Sequence, residues 1–367
     1  MKPSLNGTKY LAYNQCLMAK KMTNKWRKAL TAITLLTLLA LVFATRKEIS
    51  QSVSNLADVQ ASFLFLAVGW KVLTFHSYTK MYQKLYKILD KSIAYRPMLK
   101  VFLELNFVNN VFPSGGVTGF SYFGIRMKQF GIRASSSTLV QILRFATIFV
   151  TFIFMVFGGL LVLALFSQVS NLTILFTNTL SILLAVGLIL GVYIIGSKSR
   201  IDSFLTFLTR ILNKIIQAVR PKNPETINIK RARAGFINLH ENYLVIRRKY
   251  RELTGPTVYA FAANLLEVAT LYTVFLAFGQ TLNPGAVIIA YAVANFAGLV
   301  SVLPGGVGIY EALMTAVLAT AGVSPAISIP AIIMYRILTM AIQVPLGYYF
   351  YHKFINASPK NSDAISR

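Results

Sequence analysis

The 367 residues carry 37 Lys/Arg against 11 Asp/Glu, a formal charge of +26, yet 55% are hydrophobic and mean hydropathy is +0.59. Such apolarity excludes an ordinary soluble domain and indicates an all-α polytopic membrane protein. The basic surplus sits between apolar runs, so it reads as membrane topology and not as a nucleic-acid footprint.

Met1 to Lys28 holds seven Lys/Arg and no acid, and is expected as a cytoplasmic tail (residues 1–28). The first apolar run, Ala29 to Thr45, is about the minimum for a bilayer span. A second run, about Val59 to Tyr78, contains Lys71, which has to snorkel or find an acid. Thr79 to Lys100, with six Lys/Arg and one acid, is expected to be cytoplasmic. Val101 to Phe112 includes Glu104, Asn106, Asn109 and Asn110, too polar for a lipid-facing helix and suited to a half-helix lining a cavity. After Pro113-Ser-Gly-Gly the run Val117 to Ile125 is too short to cross, so residues 101–130 read as a broken hairpin.

Thr138 to Phe166 and Asn171 to Ile195 are the next two spans, and close a first repeat over 29–166 and open a second over 171–352. The polar segment 197–255 interrupts the second repeat with thirteen Lys/Arg and four acids. Its apolar positions from Ile201 to Val219 recur at helical spacing, an amphipathic helix for the membrane interface or for packing on the membrane domain. Val258 to Phe278 spans, a second broken hairpin occupies 286–321, and Ala326 to Phe350 spans back to a tail at 353–367. The expected architecture is an inverted repeat of six full spans plus two hairpins, or eight spans if the hairpins cross.

The hairpins match each other. Pro113, Gly115, Gly116, Val117, Gly131 and Arg144 recur as Pro304, Gly305, Gly306, Val307, Gly322 and Arg336, with 31 and 32 positions from proline to arginine. Glycine breaks at corresponding places in two halves point to a binding site in repeat-built transporters. Backbone freed at Gly115-Gly116 and Gly305-Gly306 is expected to meet an anionic oxygen, with Arg144 and Arg336 gripping a phosphate. Glycines also serve close helix packing, and Glu311 with Arg336 is alternatively an ion pair that fixes register. Glu311 otherwise engages a cationic headgroup. Glu104 has Lys71 or Arg144 as expected partners. Asn264, Glu267 and Asn295 are secondary candidates, more often interhelical hydrogen-bond partners, and Tyr310 and Tyr335 read as packing aromatics.

The stretch LPGGVGIYEA, Leu303 to Ala312, followed by Arg336 in MYRILT, resembles the signature of the flippase-like membrane domain of lysylphosphatidylglycerol synthases. The resemblance runs from about Leu30 to Phe354 and is specific around the two glycine breaks. In that family the first copy often carries an acid shortly after its proline, where this chain has Gly119-Phe120-Ser121. The resemblance implies a lipid translocator for a phospholipid or polyprenyl-linked lipid, with membrane lipids of anionic headgroup as partners. A second copy of the chain stays open as a further partner. A secondary transporter of a small anionic solute is the alternative, and a lipid-modifying transferase comes third. Polar segments as short as 197–255 leave no room for a catalytic domain, so no enzyme is expected, and no cofactor. His76, His240 and His352 lack metal-ligand spacing, and Cys16 is alone.

Thirty-two of the 37 Lys/Arg fall in the segments assigned inside, which places both termini in the cytoplasm of a prokaryote and the chain in its cytoplasmic membrane. Cysteines introduced by Asn223→Cys and Ser358→Cys should resist a membrane-impermeant thiol reagent in intact cells, and one at Asn283→Cys should label. Labelling at position 223 would reverse this orientation.

Overall fold

The computed structural model describes residues 59–111, 117–166, 171–204, 206–207, 244, 247–300 and 308–357. Among them the ordered elements are all helical. In chain order these are α1 (Ala61–Ile88), α2 (Tyr95–Val111), α3 (Val117–Lys128), α4 (Ala134–Phe166) and α5 (Asn171–Ile195). A 3-10 turn at Tyr250–Leu253 leads into α6 (Thr254–Ala277), then α7 (Pro284–Val300), α8 (Ile309–Thr320) and α9 (Pro325–Ala357). The packing below lies within the unit Glu48–Tyr351; His352–Ala357 belong to a second unit, where they form the helical end of α9. The span Ala29–Thr45, the glycine breaks and most of 197–255 lie outside the described residues.

Three described helices are long and apolar enough to cross a membrane: Ala134–Leu165, Tyr250–Ala277 and Pro325–Asn356. Their outer faces carry exposed Phe154, Phe157, Leu161 and Leu165 on α4, continued on α5 by Ile182, Leu183, Ile189 and Leu190. Such a belt is stable against lipid tails and not against water. The protein is an all-α polytopic membrane protein.

One expectation is corrected. The second run does not end near Tyr78: α1 continues ten residues past it, and α2 already starts at Tyr95. The reason is periodicity. Met81, Tyr82, Leu85, Tyr86 and Ile88 are buried on one face, while Lys84 and Lys87 are exposed on the other. A basic count registers the lysines and misses the stripe behind them.

The helices repeat in order. α1 is 28 residues long, and its counterpart, the 3-10 turn with α6, is 4 plus 24; α2, α3 and α4 correspond in the same way to α7, α8 and α9. Helix ends repeat as well. Asp90 after α1 and Gly279 after α6 both turn left-handed, at φ 55° and 69°. Gly131 after α3 and Gly322 after α8 do the same at φ 70° and 85°. At each end the next amide reaches back over the last turn, as in Lys91 N–H to Tyr86 O and Gln280 N–H to Phe275 O, both 3.0 Å. The match of Gly131 with Gly322, read from sequence, is thus a shared helix stop.

The repeats are inverted. α1 and α6 are counterparts and make the most extensive helix pair in the fold. At one end Gln60 N–H bonds Ala277 O at 3.0 Å; at the other Lys249 Nζ reaches Asp90 Oδ1 at 2.8 Å and Ile88 O at 3.3 Å. The start of each helix therefore lies at the end of the other. Equivalent helices that run antiparallel require an axis perpendicular to both, which for spanning helices lies in the membrane plane.

Each repeat lays its long fourth helix against the other's hairpin, and glycine allows the approach. A Cβ on Gly285 of α7 would come within 2.3 Å of Gly159 O on α4. A Cβ on Gly347 of α9 would come within 2.4 Å of Phe107 Cβ and 2.5 Å of Leu103 O on α2. Backbone cannot give way there. Gly347→Ala should therefore lower stability by about 1–3 kcal/mol, the usual cost of overpacking. Gly187→Ala on α5, where nothing lies within 4 Å, should not. Thermal denaturation of the two variants in one detergent separates them.

Candidate functional site

Where the inverted halves meet, α1, α2, α4, α6, α7, α8 and α9 enclose a cavity of about 280 Å³. Its polar wall begins with an ion pair across the α1–α6 seam: Lys71 Nζ stands 2.5 Å from Glu267 Oε1, with Lys71 only 1% exposed. Tyr335 of α9 donates to the other oxygen, Glu267 Oε2, at 2.8 Å. A lysine in hydrocarbon costs roughly 2.5–3.5 kcal/mol even on the lenient insertion scale, so it holds its charge here only because Glu267 faces it. Lys71 thus finds an acid and does not snorkel.

The two candidate arginines reach this cavity from α4 and α9. Each is followed three residues later by a threonine, as RFAT at 144–147 and RILT at 336–339. Thr147 Oγ1 donates to Arg144 O at 2.8 Å, and Thr339 Oγ1 to Arg336 O at 3.3 Å. The hydroxyls satisfy themselves on the helix, and both arginines line the cavity. Asn106 and Asn295, the twelfth residues of α2 and α7, also line it from equivalent places.

The surroundings of the arginines differ. Arg336 pairs with Glu311 Oε1 at 3.3 Å and lies 4.9 Å over the Tyr310 ring. Glu311 Oε2 also accepts the Gly308 amide at 2.6 Å, closing the first turn of α8 where Gly308 takes φ 86°. Among the described residues Arg144 has no such acid. Its guanidinium lies against the rings of Phe145 and Tyr82, at 5.3 and 5.9 Å, and its Nε is buried without a hydrogen-bond partner. Asn106 Nδ2 and Asn109 Oδ1 are likewise buried and unsatisfied.

The remaining expectations sort by these contacts. Glu311 pairs with Arg336, as one of its two readings required. Glu104 does not meet Lys71 or Arg144; it takes Arg126 Nε at 2.8 Å and the Tyr122 hydroxyl at 2.7 Å. That bond ties α2 to α3, and neither Glu104 nor Arg126 lines the cavity. Asn264 bridges helices, accepting from Tyr78 at 3.0 Å and donating to Thr151 at 2.8 Å. Asn295 donates to Tyr291 O at 2.8 Å and to the Tyr310 hydroxyl at 3.3 Å. Gly115, Gly116, Gly305 and Gly306 lie outside the described residues. Tyr335 and Tyr310 pack in the buried core as read from sequence, and also contact the charges of the cavity wall. Sequence reasoning passed over Lys71 as a site residue and over Gln343, which accepts from Asn110 at 3.4 Å. The paired R-x-x-T spacing was available as a signal for the wall. Among the described residues no group of three or more His, Cys, Asp or Glu is placed to hold a metal ion.

Removing one member of a buried pair strands the other, at a cost of about 3–5 kcal/mol. Lys71→Met should therefore destabilise the fold by that order. Lys71→Met combined with Glu267→Gln should recover most of the loss, as read from melting temperature in detergent.

Comparison with known proteins agrees with this architecture. The chain is 24% identical over 245 residues to a UPF0104 membrane protein of Pyrococcus horikoshii, covering 66% of this chain and 72% of that one. It is 20% identical over 254 residues to a UPF0104 membrane protein of Methanothermobacter thermautotrophicus, covering 68% and 72%. A profile described as the lysylphosphatidylglycerol synthase TM region matches residues 29–347. With both hairpins and both arginines inside that match, the chain belongs to the family of the lysylphosphatidylglycerol synthase transmembrane region.

Proposed function

We propose that the protein moves a lipid with an anionic headgroup, a phospholipid or polyprenyl-linked lipid, across the cytoplasmic membrane. The observation that carries this reading is the single cavity into which both repeats present an arginine from equivalent positions. An inverted repeat with its polar site at the seam is the architecture of alternating access, because rocking one half against the other exposes the seam to either side in turn. At about 280 Å³ the cavity is close to the lower end of small-ligand pockets, roughly 300–1,000 Å³. That room suits a headgroup and leaves the acyl or prenyl tails outside, against the apolar faces of α4 and α5. The family name, taken from the membrane region of a lipid synthase, supports a lipid over a solute.

Purified protein reconstituted into vesicles with a trace of fluorescent phospholipid should let dithionite quench label from both leaflets, where protein-free vesicles lose only the outer half. Neutralising both arginines, Arg144→Gln with Arg336→Gln, should slow inner-leaflet loss at least tenfold at equal protein incorporation. Vesicles that retain the inner half yet take up inorganic phosphate would replace the lipid reading with solute transport.

A further inference from the structure

The two repeats are alike in backbone and unlike in charge. Glu311 stands 25 positions before Arg336, and Gly119 stands 25 positions before Arg144. Where Glu311 neutralises Arg336, the position at the same spacing from Arg144 has no side chain. The space is filled by Asn109, whose Oδ1 lies 2.0 Å from where a Cβ on Gly119 would stand. Lys71 is cancelled by Glu267 and Arg336 by Glu311, at 2.5 and 3.3 Å. Glu104 and Arg126 cancel each other outside the cavity wall, at 2.8 Å. Among the described residues lining the cavity, Arg144 is left as the charge without a counter-charge.

We infer that the cavity is a one-anion site seated on the first repeat: Arg144, with Asn106, binds one monoanionic phosphodiester, and the Arg336–Glu311 half is self-neutralised. The inference rests on the lipid reading above and narrows it to lipids whose headgroup bears a single negative charge. Arg144 Nε and Asn106 Nδ2 are two buried donors with nothing to donate to, each of which would cost free energy unless a ligand oxygen completes it. One phosphodiester supplies both oxygens and the missing charge together. A second negative charge would find no partner in a low-dielectric wall, which disfavours monoesters and diphosphates.

The test is equilibrium binding to the purified full chain in detergent. The probes are dioctanoyl phosphatidylmethanol, a lipid diester of charge −1; dioctanoyl phosphatidic acid at pH 9, a lipid monoester of charge −2; and dimethyl phosphate, a free diester. The lipid diester should bind tightest. Arg144→Gln should weaken it at least tenfold, with Arg144→Lys between the two. Glu311→Gln combined with Arg336→Gln should cost at least threefold less than Arg144→Gln does. Gly119→Glu, which supplies the absent acid while Asn109 swings aside, should weaken binding like Arg144→Gln and serves if the latter fails to fold. Equal losses at the two arginines, no loss in Gly119→Glu, or preference for the dianionic monoester would overturn the inference. Dimethyl phosphate binding as tightly as the lipid diester, with the same dependence on Arg144, would uphold the one-anion site and remove the lipid reading instead.

Discussion

The structure depends on one constraint: a charge in hydrocarbon must meet its opposite inside the protein. Lys71 and Glu267 do this across the seam between α1 and α6, 2.5 Å apart and almost wholly buried. Because those helices are counterparts in the two repeats, the pair fastens the halves to each other and also places a polar patch at their axis. The cavity follows from this. Tyr335 has to reach in to complete Glu267, and the helix that carries Tyr335 brings Arg336 beside it. Structural need and site chemistry thus share the same residues.

Inversion has a further consequence. Each hairpin is held to the other repeat's long helix by a glycine contact, Gly285 against α4 and Gly347 against α2. The stability of each half is therefore conditional on the other. Under the proposed function, movement that keeps the buried groups paired would be rocking about the α1–α6 seam and not separation.

Much of this was legible in the sequence, and the failures have physical causes. Arg144, Arg336 and the asparagines Asn106, Asn109 and Asn110 of the cavity wall were read from residue type alone, because polar residues in apolar runs are costly and so informative. The end of α5 at Ile195 and the shared stop at Gly131 and Gly322 followed from composition and backbone freedom. The length of α1 did not, because its lysines mark an exposed face and a window count does not distinguish a face from a loop. The partner of Glu104 was misjudged because the choice between Lys71, Arg144 and Arg126 depends on which way α3 folds back. That direction is set by the tertiary packing of Phe123 and Met127 against α1 and α2, and leaves no local trace.

The inequality of the repeats is the feature with most bearing on function. A symmetric pair of arginines, each with its own acid, would leave the cavity neutral and give an anion no electrostatic reason to enter. A pair without acids would hold two like charges near one another and would have to be filled to be stable. With Glu311 in one repeat and Gly119 in the other, the described residues of the cavity wall leave one guanidinium without a counter-charge, steadied by the rings of Tyr82 and Phe145. Under the proposed function, that is the charge a single anion would complete. The proposed transport would need this balance, because a site that binds too firmly on one side cannot release on the other.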